Sequence, residues 1–298
     1  MSRYRTTARA LLLLAAVIGL TAGPAGARGD AASPKVPQLI FPVVGAASFS
    51  DDFGDARGQG SHEGIDILAP KQSPVVAAED GKVRVHTTSA RAGCMLYLYG
   101  ESGTTYLYIH LNNDLTKGND NTGKCIPGIA YAKGLKNGEK VAAGEPIAFN
   151  GDSGDADGIA SHLHFEVHPN DGEAVNPYPH LRRAKKLLFA AKAGSPFTVA
   201  LRGDVVQAFD GSLTLDVDQV QSWPGGLRVT KVDREVELFV PVTTLVFNPA
   251  GAIIAAAKLK ALKAGQAAVA WTARAEATLA AQLGEPLKLS TERIELFS

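Results

Sequence analysis

A mainly β fold in two modules is the architecture this sequence predicts: an antiparallel, sandwich-like first module with an open groove, then a smaller, barrel-like β module. Three observations lead there. Short runs rich in Val, Leu, Tyr and Thr recur along the chain, Gly, Asp, Asn and Pro punctuate them, and few stretches carry a helical period. At 298 residues the chain exceeds one small domain.

Taken in order, residues 1–27 read as a signal peptide. Arg3, Arg5 and Arg9 precede the apolar run Ala10 to Leu20, and Ala25-Gly26-Ala27 suits a cleavage site. That run is about half of the ~20 residues a membrane span needs, so no transmembrane segment is expected in the mature chain. Residues 28–38 form a flexible tail. The first module, 39–182, contains the β-type runs Pro74–Ala78, Lys82–His86, Met95–Tyr99 and Thr105–Ile109. Between Asn112 and Lys140 lies a polar stretch without a clear period, which reads either as a groove wall or as a plain surface insertion. A basic linker, 183–196, follows, with a short helix suggested over His180 to Lys192. Alternation returns in the second module, 197–298, at Phe197–Leu201, Leu213–Val217, Glu235–Val240, Ala267–Trp271 and Leu287–Phe297. Ile253 to Lys263 looks helical. No histidine occurs in this module, so its role is left open.

Hydrophobic residues make up 45% of the chain, enough for ordinary cores. Lys+Arg and Asp+Glu balance at 30 each, so no overall field favours nucleic acid or a membrane surface. Cys94 and Cys125 both fall in the portion expected to be exported, where a disulfide is the favoured state. His110 lies inside the loop such a bridge would close.

Chemistry concentrates in three segments: His62-Glu63-Gly64-Ile65-Asp66, Tyr108-Ile109-His110-Leu111 and His162-Leu163-His164-Phe165-Glu166-Val167. In the first, Gly64 lets the chain bend so that His62 folds back toward Asp66. In the last, a strand places His162, His164, Glu166 and His168 on one face, with Leu163, Phe165 and Val167 on the other. Imidazoles and a carboxylate are the donors of a catalytic zinc site that keeps a position for water, and two histidines remain for proton and charge work. The run Gly151–Gly158 has a calcium-type look but lacks the bidentate Glu, and is better read as a turn-rich connection.

On these segments the chain resembles the lysostaphin-type, LytM-like zinc metallopeptidases that cut peptidoglycan peptides, over roughly Phe41 to Leu181. Phe53-Gly54 with Arg57, Ala69-Pro70, Ala77-Ala78-Glu79-Asp80-Gly81-Lys82-Val83, Gly138 to Ile147 and Val175-Asn176-Pro177 follow in the same order. Departures are Gln72-Ser73, the cysteine pair and the enlarged loop after His110. The resemblance implies one Zn2+ per chain held by His62, Asp66 and His164, with His110 and His162 as off-metal catalytic histidines. Tyr108 is a positioning or oxyanion donor or else a packed aromatic. Glu166 either orients an imidazole or is a plain exposed carboxylate. His86, His168 and His180 read as structural or surface residues. The implied activity is secreted, extracytoplasmic hydrolysis of peptidoglycan peptides, in the periplasm or cell wall. Two alternatives stand beside it: a non-catalytic wall-binding or regulatory module of the same fold, and a structural zinc with His162 as fourth ligand.

Overall fold

The computed structural model describes residues 35–58, 60–223 and 228–298. The expected signal peptide and most of the tail after it lie outside these. In the first module six strands form one antiparallel sheet: β1 (Ile65–Leu68), β2 (Gly81–Ser89), β3 (Gly93–Gly100), β4 (Thr104–Leu111), β5 (Lys140–Val141) and β6 (His162–Pro169). Their spatial order is β1-β6-β4-β3-β2-β5. The two-residue period sorts their side chains. Ile65 and Ile67 of β1 and Leu163, Phe165 and Val167 of β6 are buried, which leaves Asp66 and the His162/His164/Glu166 row on the opposite face.

A second, smaller layer makes the module sandwich-like. Pro74–Val76 pairs antiparallel with Pro146–Phe149, and single bridges add Val43 and Tyr131 to it. Val75, Ala77, Ile147 and Ala148 share one core with Leu96, Leu98, Tyr106, Tyr108 and Phe165 of the main sheet. Cys94 of β3 and Cys125 form the expected disulfide, which ties the far end of the inserted loop to the sheet.

Among the described residues, seven strands form the main sheet of the second module: β7 (Val199–Phe209), β8 (Ser212–Ser222), β9 (Arg228–Phe239), β10 (Leu245–Phe247), β11 (Ile253–Ile254), β12 (Ala267–Thr272) and β13 (Thr291–Leu296). They lie in the order β9-β8-β7-β12-β13-β10-β11, antiparallel throughout except for β10 beside β13. The sheet curls until Phe239 at the end of β9 bonds the Leu289 carbonyl and bridges Ser290. Among the described residues this contact does not extend into a closed barrel ladder. The stretch 253–263 differs from its helical reading: it is the short strand β11 followed by a 3₁₀ segment, Ala256–Ala261.

The helix suggested over His180–Lys192 is also absent; one turn, Tyr178–Leu181, is all that forms. Lys185 instead bridges Ile40 in parallel fashion. Leu187 and Ala190 pack with Ile40, Val44 and Val76, whereas Leu188, Phe189 and Ala191 enter the core of the second module. An extended segment can send neighbouring apolar side chains to both sides, which the single apolar stripe of a helix cannot do. Gln282 fixes the segment by accepting the Leu188 N–H on its carbonyl and the Ala191 N–H on Oε1.

Candidate metal centre

Strand register brings the principal groups together. In the antiparallel pairing of β6 with β1, His164 stands directly opposite Asp66. Directly opposed side chains on one face of a sheet lie within contact distance. His62 arrives from the other side, just before β1, through the bend at Gly64. Gly64 serves close approach rather than an unusual dihedral: a Cβ there would lie 2.7 Å from both His164 Nε2 and the Phe165 carbonyl oxygen. The backbone can fold His62 over the strand only without that carbon.

The result is a tight triangle of donors. His62 Nε2 is 2.9 Å from His164 Nδ1 and 3.1 Å from Asp66 Oδ1, and His164 Nδ1 is 3.0 Å from the same carboxylate oxygen. These separations are close to the ~3.3 Å edge of a tetrahedron with ligands at about 2.0–2.1 Å, as zinc prefers. The outward nitrogens are engaged elsewhere. His62 Nδ1 faces the Asp52 carbonyl at 2.8 Å, and His164 Nε2 faces Glu166 Oε1 at 3.0 Å. Protons on those outer nitrogens leave the inner ones as lone-pair donors, the tautomers a metal requires. Arg57 Nη2 holds the other oxygen of Asp66 at 2.9 Å, so one oxygen is aimed inward. The donor set therefore fits a zinc ion.

The charges around the triangle favour a cation at this place. Burial works against ionisation of Asp66, but hydrogen bonds from the His164 and His62 rings hold its carboxyl far below the usual range. Burial likewise lowers the pKa of His164, yet the Asp66 and Glu166 carboxylates outweigh it and raise the imidazole to about 9. Two carboxylates flanking one ring make this a place where positive charge is favoured.

His110 and His162 lie alongside, their ring centroids 5.0 Å apart. Each directs Nδ1 at a backbone carbonyl, His110 to Ser153 and His162 to Ala160, both at 2.9 Å. That leaves Nε2 of each toward the groove, where His162 Nε2 is 3.8 Å from Asp66 Oδ1. Burial, aided by His162 and His164, lowers the pKa of His110 to about 4, which keeps its ring neutral at neutral pH. The groove has a volume of about 620 Å³, and besides the residues of the donor cluster it is lined by Arg57, Glu63, Arg91, Asp155 and Ile159.

Tyr108 does not join this group. It is fully buried, its hydroxyl accepts the Ala78 N–H at 2.9 Å, and its ring packs edge-on against Phe165. The structure places it in the core and not in the groove. A regular strand would put Tyr108 and His110 on one face, but His110 has φ 61° and the pairing slips there, with Leu96 opposite Tyr108 and Cys94 opposite Leu111. This bulge turns the His110 side chain out to the groove.

Glu166 is buried between two imidazoles, His164 and His168, the second at 2.6 Å from Oε2, and their hydrogen bonds bring its carboxyl down to about 2 against the effect of burial. His168, read from sequence as peripheral, is thus wired to the site; its place on the i+2 face was the available signal. The carbonyls of Asp52, Ser153 and Ala160 had none, since a backbone acceptor leaves no mark in residue type.

Comparison with known proteins locates the same region. Residues 60–124, which include His62, Asp66 and His110, match the Peptidase family M23 profile. The chain is 28% identical over 163 residues to the L-Ala–D-Glu endopeptidase of Bacillus subtilis, an alignment covering 51% of this chain and 45% of that protein. It is 31% identical over 137 residues to the DD-carboxypeptidase/endopeptidase Mpg of Neisseria meningitidis serogroup B, covering 44% of this chain and 26% of that one. The chain thus spans less than half the length of either relative. Among solved structures, the catalytic domain of the antimicrobial peptidase lysostaphin from Staphylococcus simulans is 24% identical, with 46% of this chain and 92% of that one covered and a TM-score of 0.35. Residues 60–124 thus match Peptidase family M23, and the order of motifs around them resembles that of its LytM-like members.

Proposed function

We propose that this protein is a secreted, zinc-dependent endopeptidase that hydrolyses peptide bonds of bacterial peptidoglycan, in stem peptides or cross-bridges. Residues 39–182 are its catalytic module, and 197–298 an accessory one. The observation that carries the reading is the donor triangle of His62 Nε2, Asp66 Oδ1 and His164 Nδ1 beside two further imidazoles in an open groove. The names of the curated relatives supply the substrate class.

Zinc bound by His62, Asp66 and His164 would supply a Lewis acid and lower the pKa of a water toward about 7. His110 and His162 present Nε2 to the groove with Nδ1 anchored to backbone, so each ring is held in one tautomer. A neutral imidazole so placed accepts a proton from the attacking water and returns one to the leaving amine. Its partner hydrogen-bonds charge developing on the carbonyl oxygen. Arg57 keeps Asp66 oriented, and Glu166 does the same for His164.

Digestion of defined muropeptides, with products read by mass, tests the proposal. The expected result is release of new amines by protein containing about one zinc per chain, abolished by His164→Ala or Asp66→Ala. Binding to purified sacculi without amine release would favour the non-catalytic alternative. Activity that survives stripping of the metal would rule out the zinc mechanism.

A further inference from the structure

Behind the groove lies an ionic cluster that the proposed chemistry does not use. Lys71, just past β1, is nearly buried, and its ammonium reaches Asp114 Oδ2 at 2.6 Å and Asp152 Oδ2 at 2.8 Å. Asn119 Oδ1 at 3.2 Å and the Gly118 carbonyl at 3.3 Å complete its shell. The two carboxylate side chains are 0% and 2% exposed, so a single cation is shared by two acids taken out of water.

The cluster joins three pieces of chain. Asp114 and Asn119 belong to the inserted loop, whose backbone Asp114 also organises by accepting the Asp120 and Asn121 N–H groups at 2.7 Å. Asp152 belongs to the segment that touches both off-metal histidines. On one side of it the Gly151 carbonyl accepts the His162 backbone N–H at 3.0 Å. On the other, the Ser153 carbonyl accepts His110 Nδ1–H at 2.9 Å. Ser153 Oγ accepts the Cys94 N–H and donates to the Leu111 carbonyl, which anchors the segment to β3 and β4. The inserted loop stands outside the residues that line the groove. It is therefore a brace and not a wall.

We infer that Lys71, through Asp152 and with Asp114 as counter-anchor, is a positioning residue that fixes the segment 151–153 and thereby the ring of His110. Catalytic geometry tolerates little displacement: an error of about 1 Å in a positioned group can cost about a hundredfold in rate. A buried ion pair held from two loops supplies such rigidity where a hydrated surface turn would not.

The inference rests on the proposed function only for its kinetic readout. Three variants test it: Asp152→Asn, which keeps the Lys71–Asp114 pair; Lys71→Met with Asp114→Asn, which removes that pair and leaves Asp152; and Lys71→Arg. In the zinc-loaded, substrate-free protein, the His110 Nδ1–H proton should exchange at least about tenfold faster in Asp152→Asn than in wild type, while the His62 Nδ1–H proton is unchanged. With muropeptide, kcat should fall about tenfold or more at unchanged KM and zinc content. Lys71→Arg, which keeps the cation, should retain most of kcat. If the double variant does not fold, Asp152→Asn alone decides. Wild-type His110 exchange and kcat in a folded Asp152→Asn protein would overturn the inference. A wild-type protein that releases no amines would overturn the functional reading instead, and the exchange measurement would still judge the clamp.

Discussion

Glu166 accepts from His164 on one oxygen and from His168 on the other. A carboxylate behind a metal-binding imidazole fixes its tautomer and raises its basicity, and loss of such a partner costs about 10–100-fold in metal affinity. Glu166→Gln is therefore expected to weaken zinc binding by that factor in competition with a chelator; an affinity within twofold of wild type would contradict the role. His162, His164, Glu166 and His168 were legible as one face because a strand alternates strictly. Tyr108 and His110 misled the same rule, because the positive φ of His110 breaks the alternation between them. Gly64 was legible as a bend, but the need for its missing Cβ lies in the distance to His164 and Phe165, which are about a hundred residues away.

Among elements, the inserted loop was the least legible in the sequence. Its polar residues show no period because they bond one another locally instead of presenting a buried face. Asp120 accepts from the backbone of Leu115, Thr116 and Thr122 and from the hydroxyls of Thr116 and Thr122. The hydrogen bonds from Thr122 and Thr116 pull its carboxyl well below the ordinary 3.8. A depressed folded pKa means the loop is favoured above pH 3.8 and loses that contribution as pH falls through the folded value. Hydrogen exchange at residues 115–122 should therefore quicken at acid pH before the strands of the sheet do, and exchange that stays level with theirs would refute this. The Cys94–Cys125 bridge closes 31 positions around the loop. Chain entropy assigns such a closure roughly 3–4 kcal/mol, so the paired Cys94→Ser and Cys125→Ser variant should lose about that much in denaturant unfolding. A loss under about 1 kcal/mol would show that the ionic cluster, not the bridge, holds the loop.

Across the whole molecule, the two sheets were readable from alternation, whereas their junction was not. Leu187 to Ala191 looks like a linker in sequence because no local period shows which side chain serves which core. In the fold they divide between the second module's core and a small separate cluster with Ile40, Val44 and Val76 of the first, and the described residues of both modules form one compact unit. Leu187→Ala should cost about 2–5 kcal/mol and lower a single calorimetric transition shared by both modules. A wild-type scan resolving two separate transitions would contradict that coupling. The candidate metal centre is also a property of the whole first module, since 62–66 and 162–164 meet only when β1 and β6 pair in register. Zinc-edge anomalous diffraction from crystals of the zinc-loaded protein tests that claim most directly. The account predicts one zinc peak bounded by His62 Nε2, Asp66 Oδ1 and His164 Nδ1, with its remaining position open to the groove. A peak elsewhere, or one closed by a fourth protein ligand, would contradict it.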